Sequence, residues 1–183
     1  TGKTLGIVGF GRIGQMVAER AKGLGMNAIA YDPLVAEGRY RELGVEKADT
    51  PADLYAASDF ITLHLASTPE TRGFVNAEAF AAMKQGARLI NAARGDVVDQ
   101  DALVAALTSG HLGGAGIDVF PTEPVTESPL FGLPGVVVTP HLGASTEEAQ
   151  DRAGVVRIVL RQHGVARAFR GHVCVAAAAT SRW

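Results

Sequence analysis

Six residues near the start of the chain, Gly9-Phe10-Gly11-Arg12-Ile13-Gly14, restrict its fold more than any other stretch. They stand between an apolar run at 5–8 and a segment, 13–24, in which Ile13, Val17, Ala21 and Leu24 recur at helical spacing. A GxGxxG turn in that setting opens a βαβ unit. The first glycine permits a tight turn, the second lets the backbone approach a pyrophosphate, and the third lets helix and strand pack closely. The N–H groups of Arg12 and Ile13 then face an anion at the positive end of the helix dipole. Taken alone, the same six residues read as an ordinary glycine-rich turn; the flanking strand and helix give them meaning.

The rest of the chain repeats this alternation of short apolar runs and helical patterns. It predicts an α/β fold, a doubly wound parallel sheet (Rossmann) in a single domain. Strands are expected at 5–8, 28–31, 60–63, 88–91, 115–118 and 136–138. Helices are expected at 13–24, at 51–57 with Thr50 as cap, at 77–83 and at 100–107. A last helix is expected from Ser145, where Ser145-Thr146-Glu147-Glu148 reads as a capping box and Ala149, Ala153, Val156 and Leu160 share one face. The 22 glycines among 183 residues fit a fold with many tight turns.

Four polar residues stand where these strands run out. Asp32 ends the second strand, where a carboxylate can accept hydrogen bonds from both ribose hydroxyls of an adenosine and would repel a 2′-phosphate. That favours NAD over NADP, although Asp32-Pro33 also reads as a simple strand-ending turn. Arg94, Glu123 and His141 follow the fourth, fifth and sixth strands, and ligands of open parallel sheets bind beyond carboxyl ends. Their chemistry suits the oxidation of a secondary alcohol. A histidine can take the hydroxyl proton as hydride leaves carbon, a carboxylate can stabilise the imidazolium, and an arginine can hold a substrate carboxylate by two parallel bonds. Each also has a plainer reading: Arg94 as a surface charge, Glu123 as a turn acid before Pro124, His141 as a loop histidine.

Composition removes other classes. A formal net charge of −2 gives no reason to expect a nucleic acid or an anionic membrane as partner. The lone cysteine, Cys174, excludes an internal disulfide and any cysteine cluster for metal, which fits a reducing cytoplasm. No apolar run approaches the roughly 20 residues of a bilayer span, and no secretory signal opens the chain. Thr1 lies almost directly on a strand, so a fragment or processed chain is expected.

Four motifs in order carry a resemblance: residues 6–14, Asn91-Ala92-Ala93-Arg94-Gly95, Gly116-Ile117-Asp118-Val119-Phe120 with Glu123-Pro124, and Thr139-Pro140-His141-Leu142-Gly143. Together they resemble the nucleotide-binding domain of the D-isomer-specific 2-hydroxyacid dehydrogenases, over about residues 1–156. The resemblance implies that Arg94 binds substrate, that His141 is the acid/base and that Glu123 is its partner. It implies cofactor contacts at Gly9, Gly11, Arg12, Ile13, Gly14, Asp32, Thr68, Ala92, Ala93, Arg94, Asp118, His141 and Gly143, with Asp118 near the nicotinamide. It further implies NAD as cofactor, a small 2-hydroxy acid as substrate, and a homo-oligomeric parent. His64, His111, His163 and His172 match no family site and form no defensible metal set. The run 141–150 is most similar to one branch of that family, and this resemblance implies reversible oxidation of 3-phospho-D-glycerate to 3-phosphohydroxypyruvate. The alternatives are a reductase of glyoxylate or hydroxypyruvate, or a module that senses NAD without turnover.

Two expectations qualify this. The family's second, substrate-binding domain is largely absent, so activity of this chain alone is in doubt. From Arg152 onward arginine is the only formally charged residue type, and the likeness stops near Val156. Residues 157–183 are therefore expected to be a divergent basic tail, loosely held and foreign to the fold, as a shifted reading frame would give. A basic amphipathic helix with a divergent tail is the alternative.

Overall fold

Seven short strands form one parallel sheet in the computed structural model, which describes residues 1–143 together with Ser145, Thr146 and Ala149. In chain order the elements are β1 (Thr4–Val8), α1 (Arg12–Gly23), β2 (Asn27–Tyr31), α2 (Glu37–Leu43), β3 (Glu46–Lys47), α3 (Pro51–Ala57), β4 (Phe60–Leu63), α4 (Ala77–Ala82), β5 (Arg88–Asn91), α5 (Gln100–Thr108), β6 (Gly114–Ile117) and β7 (Val136–Val138). A one-turn 3₁₀ helix, Gly95–Val97, precedes α5. The sheet order is β3-β2-β1-β4-β5-β6-β7. It reverses at β1, which pairs with β2 on one side and β4 on the other, and this doubly wound arrangement leaves a crevice at the carboxyl end of β1.

Both faces of the sheet are covered, as a parallel sheet requires. Residue alternation sorts the strand side chains into two cores. Val8, Ile29, Ile61, Leu63 and Leu89 join Leu54, Phe80 and Leu103 of α3, α4 and α5. Leu5, Ile7 and Ala30 join Ala18 and Ala21 of α1 and Tyr40 of α2. Helix starts follow their caps: Thr50, Asn76 and Asp99 each accept the N–H three residues on, from Asp53, Ala79 and Ala102.

The six expected strands are all present, and the sheet adds a pair that the periodicity did not reveal, α2 and β3. Both are short and polar; Tyr40 is the one fully buried side chain of α2, and both β3 residues are exposed. The available signal was Gly44, the left-handed C-cap of α2 with φ of 59°. Asp118, expected inside a strand, lies just past the end of β6.

Residues Thr1–Gly143 form one compact unit. At the expected start of the last helix the Thr146 hydroxyl accepts the Ala149 N–H at 3.2 Å. The rest of that helix, the boundary at 156 and the tail 157–183 lie outside the described residues.

Candidate active site

The site begins at the carboxyl end of β1. Gly9 has φ of 91°, and a Cβ there would stand 2.8 Å from the His64 carbonyl oxygen at the end of β4. A Cβ on Gly14 would fall inside the Gly9 carbonyl oxygen. Neither neighbour is a flexible side chain that could move aside. Gly14→Ala is therefore expected to cost about 1–3 kcal/mol of stability and to abolish measurable NADH binding, read by urea unfolding and calorimetry.

Above Gly11, by contrast, the space is open: a Cβ there would meet nothing within 4 Å. Gly11 is also the N-cap of α1 and supplies no side-chain hydrogen bond, unlike the caps of α3, α4 and α5. Arg12 in the first turn is exposed, and no acid accompanies it there. A cation at that end opposes the helix dipole unless an anion joins it. Open backbone, uncapped N–H groups and a nearby guanidinium together fit a pyrophosphate.

Asp32, half-buried just past β2, closes the other side of the loop. Its Oδ2 accepts the Phe10 N–H at 2.8 Å and its Oδ1 accepts the Leu34 N–H at 2.9 Å. Each oxygen keeps acceptor capacity for a ribose hydroxyl. The carboxylate thus both shapes the glycine turn and can read the ribose. Ile13, 65% exposed on α1, offers an apolar contact at the same crevice.

On the far side of β1 the carboxyl ends of β4, β5, β6 and β7 follow one another. Thr68 lies half-buried in the loop after β4, where Thr71 Oγ1 accepts its N–H at 2.8 Å. After β5, Asn91 is buried; its Nδ2 donates to the Arg94 carbonyl at 2.9 Å and its Oδ1 accepts the Ala93 N–H at 3.1 Å. This side chain folds the turn that leaves Ala92 and Arg94 exposed and Ala93 half-buried. The Arg94 guanidinium donates to the Ala93 carbonyl at 2.6 Å.

Beyond β7, His141 Nδ1 and Glu123 Oε2 are 2.8 Å apart, and Glu123 Oε1 accepts the Phe120 N–H at 3.0 Å. A carboxylate only accepts, so Nδ1 carries the proton and the lone pair of a neutral ring sits on Nε2. Burial pushes the Glu123 carboxyl up, but the bonds from His141 and Phe120 outweigh it and hold it below the usual range. His141 has φ of 57°, a left-handed conformation rare outside glycine and characteristic of functional sites.

Asp118 holds that conformation in place. Its backbone carbonyl accepts the His141 N–H at 2.9 Å. Its Oδ1 accepts the Thr139 hydroxyl at 2.5 Å and the Leu142 N–H at 2.7 Å, and its Oδ2 accepts the Gly143 N–H at 2.8 Å. Burial pushes this carboxyl up as well, yet the three bonds and the nearby His141 bring it below its ordinary value.

The expected residues thus fall into two groups, one on each side of β1. Gly9, Gly11, Arg12, Ile13, Gly14 and Asp32 form the first; Thr68, Ala92, Ala93, Arg94, Asp118, Glu123, His141 and Gly143 form the second. The turn that bears Arg94 packs on the segment that anchors Glu123. A Cβ on Gly95 would overlap the Phe120 carbonyl carbon, so the arginine turn rests on the residue whose N–H anchors Glu123. Asn91 and Thr139 were missed as supporting residues; the signal was a polar side chain ending an otherwise apolar run. His64 bonds Thr62 Oγ1 at 3.1 Å, and burial lowers its basicity. His111 bonds Gln85 and the Phe80 carbonyl, both structural contacts. Among the described residues there is no cluster that could hold a metal ion, and no helix long and apolar enough to cross a membrane.

Residues 1–143 match the family model described as D-isomer specific 2-hydroxyacid dehydrogenase, NAD binding domain. Over 153 residues the chain is 57% identical to a D-3-phosphoglycerate dehydrogenase of Mycobacterium tuberculosis, covering 84% of this chain and 29% of that protein. It is 48% identical over 155 residues to one from Methanocaldococcus jannaschii, covering 85% of this chain and 30% of the other. Among solved structures, a glyoxylate reductase from Paecilomyes thermophila superposes with a TM-score of 0.84 at 35% identity, covering 91% of this chain and 50% of that one. The holo form of Rhodotorula graminis D-mandelate dehydrogenase does so with 0.82 at 36%, covering 86% and 46%. The chain thus spans under a third of the length of these curated relatives.

Proposed function

Because the chain belongs to the D-isomer specific 2-hydroxyacid dehydrogenases, as their NAD-binding domain, we propose that it serves the reversible oxidation of 3-phospho-D-glycerate to 3-phosphohydroxypyruvate, the opening step of serine synthesis. The observation that carries a catalytic reading is the His141 Nδ1–Glu123 contact of 2.8 Å, made by residues that follow the carboxyl ends of β6 and β7.

NAD, when bound, supplies the hydride acceptor. Its pyrophosphate would lie on the open backbone of Gly11 and the first turn of α1, with Arg12 and Ile13 alongside. Its adenosine ribose would meet Asp32, and its nicotinamide end would meet Thr68, Ala92, Ala93, Asp118 and Gly143. Arg94 binds the substrate carboxylate with paired donors. His141 Nε2 takes the hydroxyl proton as hydride leaves the same carbon, and Glu123 stabilises the resulting imidazolium through Nδ1. In the reverse direction His141 returns that proton to the carbonyl oxygen.

The proposal includes a cytoplasmic, homo-oligomeric parent that acts on a small 2-hydroxy acid, with no nucleic-acid or membrane partner. Rates of NADH consumption with 3-phosphohydroxypyruvate, glyoxylate and hydroxypyruvate test the substrate. The phosphorylated acid should be preferred, and a preference for glyoxylate would replace this reading with a glyoxylate reductase.

Cofactor choice gives a separate test on the chain itself. NAD(H) should bind more tightly than NADP(H) by at least about tenfold, since 1.4 kcal/mol corresponds to that ratio. Asp32→Ala should weaken NADH and narrow the gap, because it removes both the ribose acceptor and the Phe10 tether. Calorimetric titration with both cofactors measures this, and equal affinities for the unmutated chain would sink the assignment.

A further inference from the structure

Asp96 has no place in the chemistry above, yet it stands two residues from Arg94 and its side chain touches the loop that contains Thr68. Its carboxylate accepts the Ser67 hydroxyl at 2.5 Å and lies 3.3 Å from Arg72 Nε. Ser67 and Arg72 belong to the loop after β4, the one that contains Thr68. Asp96 itself stands in the 3₁₀ turn that follows Arg94 directly.

The backbone joins the same two segments. Gly73 N–H donates to the Asp96 carbonyl at 2.9 Å and Val75 N–H donates to the Val97 carbonyl at 3.0 Å. Asp99 N–H donates back to Val75 at 3.0 Å, with Val75 and Val98 bridged in parallel. These bonds fix residues 73–75 against 96–99. They leave residues 66–72 to be placed by side chains, and Asp96 is the side chain that reaches across. Within the loop, Thr71 Oγ1 donates to the Ala66 carbonyl at 2.6 Å and accepts the Thr68 N–H, so residues 66–71 hold together as a unit. The Asp96 carboxylate therefore adds a side-chain anchor to the whole unit, whose flanks are held by the backbone bonds of His64 and Gly73.

We propose that Asp96 is a positioning residue that ties the Thr68 loop to the turn bearing Arg94, and so sets the nicotinamide end of the cofactor site. This rests on the cofactor reading above. The sheet order supplies its discriminating consequence. Asp32 and the adenosine half belong to the β2 side of β1, whereas the Ser67–Asp96 contact belongs to the β4 and β5 side. Loss of Asp96 should damage binding of the complete dinucleotide and spare a ligand that ends at the diphosphate.

The test is calorimetric titration of the full 183-residue chain with NADH and, separately, with ADP. Asp96→Ala should weaken NADH about tenfold and leave ADP within about twofold, with the thermal midpoint of the unliganded chain nearly unchanged. Ser67→Ala, a change at an exposed side chain, should reproduce part of the loss. The double variant should be no worse than Asp96→Ala, because the Ser67–Asp96 bond that Ser67→Ala removes is already lost in Asp96→Ala. Asp96→Asn, which keeps an acceptor for Ser67, should recover part of the NADH affinity. Equal losses for NADH and ADP, unchanged NADH affinity, or additive losses in the double variant would each overturn the positioning role while leaving the cofactor reading intact. Failure of the unmutated chain to bind either ligand would overturn both.

Discussion

His141→Ala, in the enzyme that carries this chain, is expected to lower turnover about a thousandfold while NADH affinity stays within about twofold. General acid–base groups contribute roughly 10²–10⁴-fold, and in the proposed mechanism the imidazole acts on the substrate proton, away from the phosphate turn and Asp32. The fold should tolerate the change. His141 is exposed, and the bond from its backbone N–H to Asp118 remains in alanine. Glu123→Gln isolates the carboxylate's part. It keeps an acceptor opposite Nδ1 but removes the charge that stabilises the imidazolium, so turnover should fall by about tenfold to a hundredfold, between wild type and His141→Ala. Arg94→Ala should act mainly on substrate KM, since it removes the proposed substrate-carboxylate contact. Steady-state kinetics with NADH titrations separate these cases. Wild-type turnover in His141→Ala would remove the acid/base assignment.

What the sequence made legible, and what it hid, divides by range. The GxGxxG turn and its flanking periodicities are local, and they mapped onto β1, the tight turn at Gly9 and α1. Asp32, Arg94 and His141 could be placed because strand ends are readable from apolar runs. α2 and β3 escaped because a mostly exposed seven-residue helix and a two-residue edge strand bury too little to leave a pattern. The supporting bonds were hidden for a different reason. Ser67 and Asp96 lie 29 residues apart, and Asp118 and Thr139 lie 21 apart. No periodicity encodes such a pair; only the register of neighbouring strands brings it together. The likeness to a family named Asp118 as a nicotinamide neighbour, whereas the geometry adds that its carboxylate and carbonyl hold the histidine loop.

That geometry makes Asp118 the most consequential supporting residue to alter. Asp118→Ala removes the acceptor for the Thr139 hydroxyl and for the Leu142 and Gly143 N–H groups. Hydrogen bonds to a charged group are worth about 1.5–3 kcal/mol each, but the Leu142 and Gly143 bonds are only partly buried and water can replace part of each, so a net loss of about 3 kcal/mol is expected. The loss should depend on pH with a definite sign. The folded-state pKa of Asp118 is depressed, so its ionised form stabilises the fold above the unfolded carboxylate pKa of about 3.9. As pH falls through the folded-state value that contribution disappears, and the wild type and Asp118→Ala should converge. Asp118→Asn is the sharper probe. An amide has one acceptor oxygen and one NH₂, whereas the site presents a backbone donor to each carboxylate oxygen, from Leu142 to Oδ1 and from Gly143 to Oδ2. Either amide orientation sets the NH₂ against one of those N–H groups; only the Thr139 hydroxyl can rotate to accept. The isosteric change should therefore cost nearly as much stability as alanine. It should also release the left-handed backbone of His141 and reduce turnover by at least about tenfold. Urea unfolding between pH 3 and 8, hydrogen exchange at Leu142 and Gly143, and turnover measure the three effects together. Wild-type stability and turnover in Asp118→Asn would mean that a neutral acceptor suffices, and that the charge on Asp118 plays no part in holding the histidine.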